Sequence, residues 1–283
     1  SILISERLIF NGSSVLETRH LGLIVDSADN LHATRVARDF SRTKQMHYTK
    51  LDNFGNIIIN TSIISIIDGI PHAGGPTTII DSQNDIHIFY VNDHIIFYKK
   101  IDQFGKILVN DTLLINASFY RGLPSVTIDD ADNLHLVWAD VRDGLESEVY
   151  YKKIDSVGIP LTTDIRLTYN HTGFVPRLAI DSQGFIHVIF LGNGLRYMKL
   201  SNNGINMSEE IIIVDSTWFR FGAENQMINI DKKDNIHIVW PTDRITSRQN
   251  YYHFFYKKLD NEGRNLTFDM MITNHSLGDW LFG

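Results

Sequence analysis

An aspartate and a histidine recur five times along the chain, always six residues apart. Both residue types can ligate a metal ion or move a proton, and a Tyr-x-Lys segment follows every copy. The aspartates are Asp26, Asp81, Asp129, Asp181 and Asp231, and the histidines are His32, His87, His135, His187 and His237. The tyrosines are Tyr48, Tyr98, Tyr151, Tyr197 and Tyr256, and the lysines are Lys50, Lys100, Lys153, Lys199 and Lys258.

The spacing of these histidines argues against one shared metal centre. They lie 55, 48, 52 and 50 residues apart, and a period near 50 with strand-like segments is typical of a propeller. Repeat symmetry would hold them a blade width apart, far beyond metal bonds of about 2 Å. We therefore interpret Asp, His and Lys as a polar network inside each repeat that satisfies buried groups. We expect the tyrosine ring to lie between blades with its hydroxyl at a wet edge.

The third copy illustrates how one repeat is built. This repeat has four short segments rich in β-forming residues, 124–129, 134–138, 149–154 and 164–168. Turn-forming Asp, Asn and Gly residues separate most of these segments. Four such strands form an antiparallel meander, which is one propeller blade. No helical period is present. The sequence predicts an all-β fold, a β-propeller of five four-stranded antiparallel blades in one domain, 1–283, with blades at about 20–68, 75–117, 123–169, 175–215 and 225–274.

The two ends of the chain leave two closures open. Residues 5–11 read as an extra leading fourth strand, and the tail 275–283 imitates a first strand. In one closure the N-terminal strand seals the last of five blades, which we favour. In the other, a sixth blade is completed by the terminal strands or by a neighbouring subunit, because unpaired strand edges recruit partner strands.

The repeated motif resembles a known family. Asp81-Ser-Gln-Asn-Asp-Ile-His87, followed by Tyr98-Lys-Lys-Ile-Asp-Gln-Phe-Gly105, is similar to the sialidase-like (BNR-type) β-propeller repeats of secreted and cell-surface proteins, many of them archaeal. The resemblance covers about residues 5–283 and implies the propeller fold. The sialidase Asp-box, Ser-x-Asp-x-Gly-x-Thr-Trp, is absent from this sequence, so the resemblance transfers no catalytic residue.

The composition of the chain argues against nucleic acid as a partner and against membrane insertion. A formal net charge of −7 gives no broad basic surface for nucleic acid. No apolar run approaches the roughly 18 residues of a membrane span, so we expect no membrane insertion. The chain has no cysteine, which excludes disulfides and thiol chemistry. A hydrophobic content of 43% is ordinary for a protein with a buried core.

Asn-x-Ser/Thr sequons indicate an extracellular or cell-surface protein. Chance alone would give about three, whereas the chain has eight. An Asn-rich genome is the alternative explanation. We expect all eight on or beside the outermost strand of a blade, where glycans would shield its edge. The sequons are Asn11, Asn60, Asn110, Asn116, Asn170, Asn206, Asn265 and Asn274.

Two further groups of residues are candidates for ligand or substrate chemistry. The loops between second and third strands carry Asp39, Asp93, Asp140 and Asp243, which would form an acidic face for a cation or a polyol unless they are solvated turn residues. Glu224 precedes the first strand of the fifth repeat and is the one carboxylate we would test for glycoside hydrolysis.

These observations favour a non-enzymatic, extracellular, N-glycosylated propeller with a structural or adhesive role, such as a cell-surface or filament subunit. We expect self-assembly through terminal strands or propeller faces, covalent N-glycans, and no cofactor. The alternatives are a glycan-binding, lectin-like module and, less favoured, a glycoside hydrolase.

Overall fold

The computed structural model describes residues 15–39, 43–67, 76–92, 94–117, 124–144, 146–169, 173–215, 225–243 and 252–273. These residues form twenty strands and no helix, arranged as five four-stranded antiparallel sheets. In every sheet the strands lie side by side in chain order, as in a meander. The all-β prediction of five four-stranded antiparallel blades is therefore confirmed.

The strands of each sheet follow the repeats of the sequence. Sheet 1 contains β1 (Val15–Val25), β2 (Leu31–Asp39), β3 (Lys44–Leu51) and β4 (Ile57–Ile67). Sheet 2 contains β5 (Thr77–Ile80), β6 (Ile86–Asn92), β7 (Ile95–Ile101) and β8 (Ile107–Asn116). Sheet 3 contains β9 (Ser125–Ile128), β10 (Leu134–Asp140), β11 (Glu148–Ile154) and β12 (Ile165–Arg166). Sheet 4 contains β13 (Phe174–Ile180), β14 (Ile186–Gly192), β15 (Gly194–Leu200) and β16 (Ile211–Asp215). Sheet 5 contains β17 (Met227–Ile230), β18 (Ile236–Asp243), β19 (Tyr252–Leu259) and β20 (Met270–Met271).

The fourth strands differ in length, and side-chain hydroxyls explain the difference. β4 and β8 have eleven and ten residues, whereas β12 and β20 have two each. In sheet 3 the amide of Lys153 donates to the hydroxyl of Thr162, and in sheet 5 the amide of Lys258 donates to that of Thr267, each over 2.9 Å. A side chain then takes a bond that a strand ladder would make, so the fourth strand is interrupted.

Two kinds of tight turn define every sheet. The recurring aspartate ends the first strand, and its Oδ1 accepts the amides two and four residues later; for Asp129 these lie 3.0 and 2.8 Å away. The turn after the third strand ends in a glycine with positive φ, such as Gly204 at +79°. Asp stabilises such turns with its own side chain, and Gly adopts positive φ without a steric cost.

The chain divides into two compact units. One comprises residues 1–124 and 154–159, and the other comprises residues 125–153 and 160–283. In the first unit, sheets 1 and 2 share a core that includes Met46, Tyr48 and Ile88. In the second unit, one core lies between sheets 3 and 4 and another between sheets 4 and 5, where Trp240 is buried. Each core is thus built from the apolar faces of two consecutive sheets.

The predicted terminal strands, 5–11 and 275–283, lie outside the described residues, so the choice between the two closures and the extent of the domain stay predictions. No helix in the described part of the chain has the length and apolar character that a membrane span requires.

Candidate functional site

The recurring Asp, His and Tyr come together as one cluster in each sheet, and the Lys pairs with this Asp in four of the five. The aspartate supports two structures at once, because Oδ1 holds the turn while Oδ2 faces the histidine. In sheet 1, Oδ2 of Asp26 lies 3.1 Å from Nε2 of His32 and 2.9 Å from Nζ of Lys50. A carboxylate is required here, since one group must accept bonds on both oxygens and neutralise a lysine.

The histidine connects the aspartate to the tyrosine. Nδ1 of His135 lies 2.7 Å from the hydroxyl of Tyr151, and Nε2 lies 3.2 Å from Oδ2 of Asp129. The same two contacts recur in the other four sheets with lengths of 2.8–3.1 Å. The two ring nitrogens thus have different partners, the carboxylate at Nε2 and the tyrosine hydroxyl at Nδ1.

The tyrosine extends the cluster to the glycine turn that follows the third strand of the next repeat. The hydroxyl of Tyr48 lies 3.1 Å from the main-chain oxygen of Gln103, and that of Tyr151 lies 3.1 Å from the oxygen of Asn202. Tyr48, Tyr98, Tyr151 and Tyr197 have no exposed surface. The expectation that these hydroxyls lie at a wet edge is therefore wrong for four repeats, because each is enclosed with its histidine.

The lysine completes the cluster with a buried ion pair. Nζ of Lys100 lies 2.8 Å from Asp81, and Nζ of Lys153 lies 3.1 Å from Asp129. Lys153 also donates to the side chain of Asn202 in the following turn. In sheet 4, Lys199 instead pairs with Glu262 at 3.0 Å. These contacts confirm a polar network inside each repeat and add a link from one sheet to the next.

The cluster of sheet 5 differs from the others in exposure. The side chains of Asp231, His237 and Lys258 are 29%, 31% and 27% exposed, whereas those of Asp129 and His135 are 8% and 0% exposed. Its internal distances match those of the buried clusters. Solvent access rather than geometry therefore distinguishes the fifth cluster.

Burial and hydrogen bonding set the pKa values of the cluster. Burial raises the pKa of Asp129, but hydrogen bonds from Asn133 and the pairing with Lys153 outweigh it and hold this pKa well below its ordinary value of 3.8. Burial lowers the pKa of His135 from 6.5 to about 4, although its bond to Asp129 opposes the shift. Burial and the nearby Asp129 raise the pKa of Tyr151. At neutral pH the cluster of sheet 3 holds a carboxylate, a neutral imidazole and a neutral phenol.

Sequence reasoning missed a second lysine–aspartate pair. In three sheets the lysine next to the recurring one faces an aspartate near the fourth strand. The pairs are Lys99–Asp111 at 3.0 Å, Lys152–Asp164 at 2.7 Å and Lys257–Asp269 at 2.7 Å. The signal was the repeated Lys-Lys step, in which successive strand residues point to opposite faces.

Of the predicted acidic face, only the side chain of Asp140 falls within the description; Asp93 and the side chains of Asp39 and Asp243 lie outside it. Asp140 is fully buried, and its Oδ2 lies 2.6 Å from Nε of Arg142. The guanidinium of Arg142 stacks on Trp138 and Tyr150, with 5.7 and 5.0 Å to the ring centroids. Asp140 is thus one of two carboxylate partners, with Asp164, of a half-buried arginine. Glu224 lies outside the described residues.

No three metal-ligating side chains come together anywhere in the described ranges. The sequon asparagines in these ranges, by contrast, share one setting. All are exposed, and they lie on a fourth strand or just after the turn that leads to it. They are Asn60, Asn110, Asn116, Asn206 and Asn265, while Asn11, Asn170 and Asn274 lie outside the description.

Several solved structures resemble this chain. A protein of unknown function from Dyadobacter fermentans matches with a TM-score of 0.61 at 8% identity, over 94% of this chain and 84% of its own. A Hadza microbial sialidase matches with a TM-score of 0.61 at 10% identity, over 93% and 60%. An ulvan lyase, a polysaccharide lyase, matches with a TM-score of 0.58 at 10% identity, over 91% and 72%.

The chain has the β-propeller fold. The five meander sheets and these matches agree with the resemblance to sialidase-type propellers at the level of the fold, and identities of 8–10% carry nothing further. The chain matches no protein-family model and no curated protein.

Proposed function

We propose that the protein is a non-enzymatic, extracellular, N-glycosylated propeller with a structural or adhesive role, such as a subunit of a cell surface or a filament. One observation carries the proposal. The side chains best suited to catalysis, the recurring Asp and His, are present in every sheet and form hydrogen bonds that stabilise it. His135, for example, is enclosed between Asp129 and Tyr151. Catalysis needs one asymmetric site with access to substrate. A hydrogen-bonded cluster that stabilises each of five sheets is not such a site.

The setting of the sequons supports the extracellular part of the proposal. Oligosaccharyl transfer needs an accessible asparagine, and the side chains of Asn60, Asn110 and Asn206 are exposed. The fourth strands also expose apolar side chains, such as Ile66 at 62% and Leu113 at 54%. Glycans beside these strands would keep such surfaces soluble.

Intact-mass measurement tests the proposal. Treatment with an N-glycosidase should lower the mass of protein purified from its source by the mass of several N-glycans. Peptide mapping should place these glycans on the sequon asparagines. Light scattering behind size exclusion should find assemblies in native extracts. Asparagines that are unmodified throughout, together with a strict monomer, would overturn the proposal.

A second candidate, a glycan-binding module, is favoured by one surface cluster in sheet 3. The ring of Tyr169 is 60% exposed and lies 4.8 Å from the guanidinium of Arg166, which pairs with Glu148 at 2.9 Å. Sugars bind to an exposed aromatic ring flanked by charged donors and acceptors. Glycan-array binding that Tyr169→Ala abolishes would support this function, and the absence of any array signal would exclude it.

A further inference from the structure

A turn of the next repeat covers the Asp–His–Tyr cluster in sheets 1 to 4. This turn follows the third strand and ends in the glycine with positive φ. In three of these sheets, the second residue of the turn accepts the tyrosine hydroxyl at its main-chain oxygen over 3.1 Å; these residues are Gln103, Ser156 and Asn202. In all four, the glycine lies against the ring of the same tyrosine. The cover is therefore a regular feature of the repeat.

In two sheets the covering turn also places an asparagine amide between the aspartate and the lysine. Nδ2 of Asn261 donates to Oδ2 of Asp181 over 2.8 Å, and its Oδ1 accepts from Nζ of Lys199. Asn202 makes the same two contacts with the cluster of sheet 3. An amide suits this position because it offers a donor to the carboxylate and an acceptor to the ammonium group.

The cluster of sheet 5 has the groups that bind such a turn, but it is open to solvent. Nζ of Lys258 lies 3.1 Å from Oδ2 of Asp231, and the hydroxyl of Tyr256 lies 2.9 Å from Nδ1 of His237. In the described part of the chain no turn covers these groups, and the side chains of Asp231 and Lys258 are 29% and 27% exposed. A receiving surface for a turn is thus in place at sheet 5.

The first repeat has a turn of the required kind at residues 52–55, Asp-Asn-Phe-Gly. Asn53 occupies the position of Asn202 and Asn261 in their turns. Gly55 has a φ of +78°, and its amide donates to the first residue of the turn over 2.9 Å, as in the other four turns at 2.9–3.1 Å. Asn53 is exposed, whereas the second residue of each of the other four turns is half-buried. The amide that would suit sheet 5 is therefore accessible.

We propose that turn 52–55 of one copy covers the cluster of sheet 5 in a second copy. The amide of Asn53 donates to Asp231 and accepts from Lys258, and its main-chain oxygen accepts from the hydroxyl of Tyr256. The occupant is a second copy because the turn and the cluster are both exposed in a single chain. The contact joins two different surfaces, so it repeats from copy to copy into a filament or a ring. This inference rests on the proposed structural role and deepens it by naming the interface between subunits.

Light scattering of unglycosylated full-length protein from a bacterial host tests the contact. Wild type should form assemblies whose mass rises with concentration. Asn53→Trp should raise the concentration needed for assembly by at least about tenfold, because the bonds to two charged groups are lost. Asn203→Trp is the matched control and should assemble as wild type does. It makes the same change at an exposed turn position that is occupied by exposed phenylalanines, Phe54 and Phe104, in the first two repeats.

A mixture of two variants tests whether the contact joins different surfaces. Tyr256→Ala removes the ring and the hydroxyl from the receiving surface, so this variant should be as defective as Asn53→Trp when each is alone. An equimolar mixture should form a dimer, because one variant supplies an intact turn and the other an intact cluster. The Tyr256→Ala chain contributes only its turn, so damage to its fifth sheet would not prevent the dimer.

Three results would overturn the contact. They are a mixture that stays monomeric, a wild type that is monomeric at every concentration because its own turn covers the cluster, and assembly that persists in Asn53→Trp. The last result would leave the structural role standing through another surface. That role is tested separately by the glycans and assemblies of native material.

Discussion

The hydroxyl of Tyr151 lies 2.7 Å from Nδ1 of His135, and neither side chain has exposed surface. The same hydroxyl lies 3.1 Å from the main-chain oxygen of Asn202 in the turn of the next repeat. The hydroxyl therefore has one hydrogen-bond partner in its own sheet and donates to another in the following sheet. Packing between sheets 3 and 4 thus depends on a polar contact as well as on their apolar core.

Removal of this hydroxyl should destabilise the fold. Tyr151→Phe leaves Nδ1 of His135 without its hydrogen-bond partner in a buried site, at a cost of about 1–3 kcal/mol. Tyr256→Phe is the matched control, because its hydroxyl makes the same contact to His237 at 2.9 Å in a cluster that water reaches. We expect a clearly smaller loss for the control. Urea denaturation of both variants measures the difference, and equal losses would contradict the argument.

The glycine of the following turn should tolerate no side chain. A Cβ at Gly204 would overlap Cδ1 and Cε1 of Tyr151, and the φ of +79° is itself strained for other residues. Gly204→Ala should therefore cost more than about 3 kcal/mol, since a buried ring must move.

Gly184 is the control for this experiment. Its φ is +83°, but its nearest neighbour is a side-chain nitrogen of Asn202 at 3.3 Å. Gly184→Ala should cost only the backbone strain of about 1–2 kcal/mol. Thermal melts that rank the two variants in the opposite order would exclude tyrosine packing as the reason for the glycine.

The repeats made the sheets predictable, but not every feature of them. Asp129 and Gly204 mark turns through local chemistry, so the number of blades could be predicted from spacing alone. The length of a fourth strand depends on whether a hydroxyl such as that of Thr162 captures an amide, which the repeat pattern does not reveal. The position of the Tyr151 ring between blades could be predicted, whereas the enclosure of its hydroxyl depends on a main-chain oxygen of the next repeat, which the residue pattern does not reveal.

Acid should destabilise the protein in two stages. The pKa of His135 falls from 6.5 to about 4 on folding. Between pH 6.5 and pH 4, His135 is therefore protonated in the unfolded chain but neutral in the folded chain. Stability from this group is complete above pH 6.5 and decreases as pH falls toward 4, by up to about 3 kcal/mol. Because the pKa of Asp129 is lowered in the folded state, further stability is lost below about 3.8.

Denaturation midpoints at pH 7.5, 5.5 and 4.5 measure the first stage. His135→Gln should be less stable at pH 7.5 and should show a shallower decrease between pH 6.5 and 4, because one of the titrating groups is absent. A stability that rises on acidification in this range would contradict the lowered pKa of the buried histidine.

Substitution of Asp140 distinguishes a structural role from a cation-binding role for this acidic loop residue. Its carboxylate is fully buried against Arg142, whose guanidinium stacks on Trp138. Asp140→Asn should leave this half-buried arginine with Asp164 as its carboxylate partner, so the substitution should cost about 1–3 kcal/mol. Calcium should not change the melting temperature of wild type or of this variant through Asp140, because its oxygens are already occupied by the arginine.

Differential scanning fluorimetry with calcium, magnesium and a chelator measures this outcome, with Asp143→Asn as a control on the same loop. Asp143 is half-exposed and accepts from the hydroxyl of Tyr150 at 2.6 Å, so its substitution should cost less than that of Asp140. A melting temperature that rises with calcium in wild type and not in Asp140→Asn would restore the cation-binding interpretation. In that case Arg142 would have to leave the carboxylate when the ion binds, because one buried oxygen pair cannot satisfy both cations at contact distance.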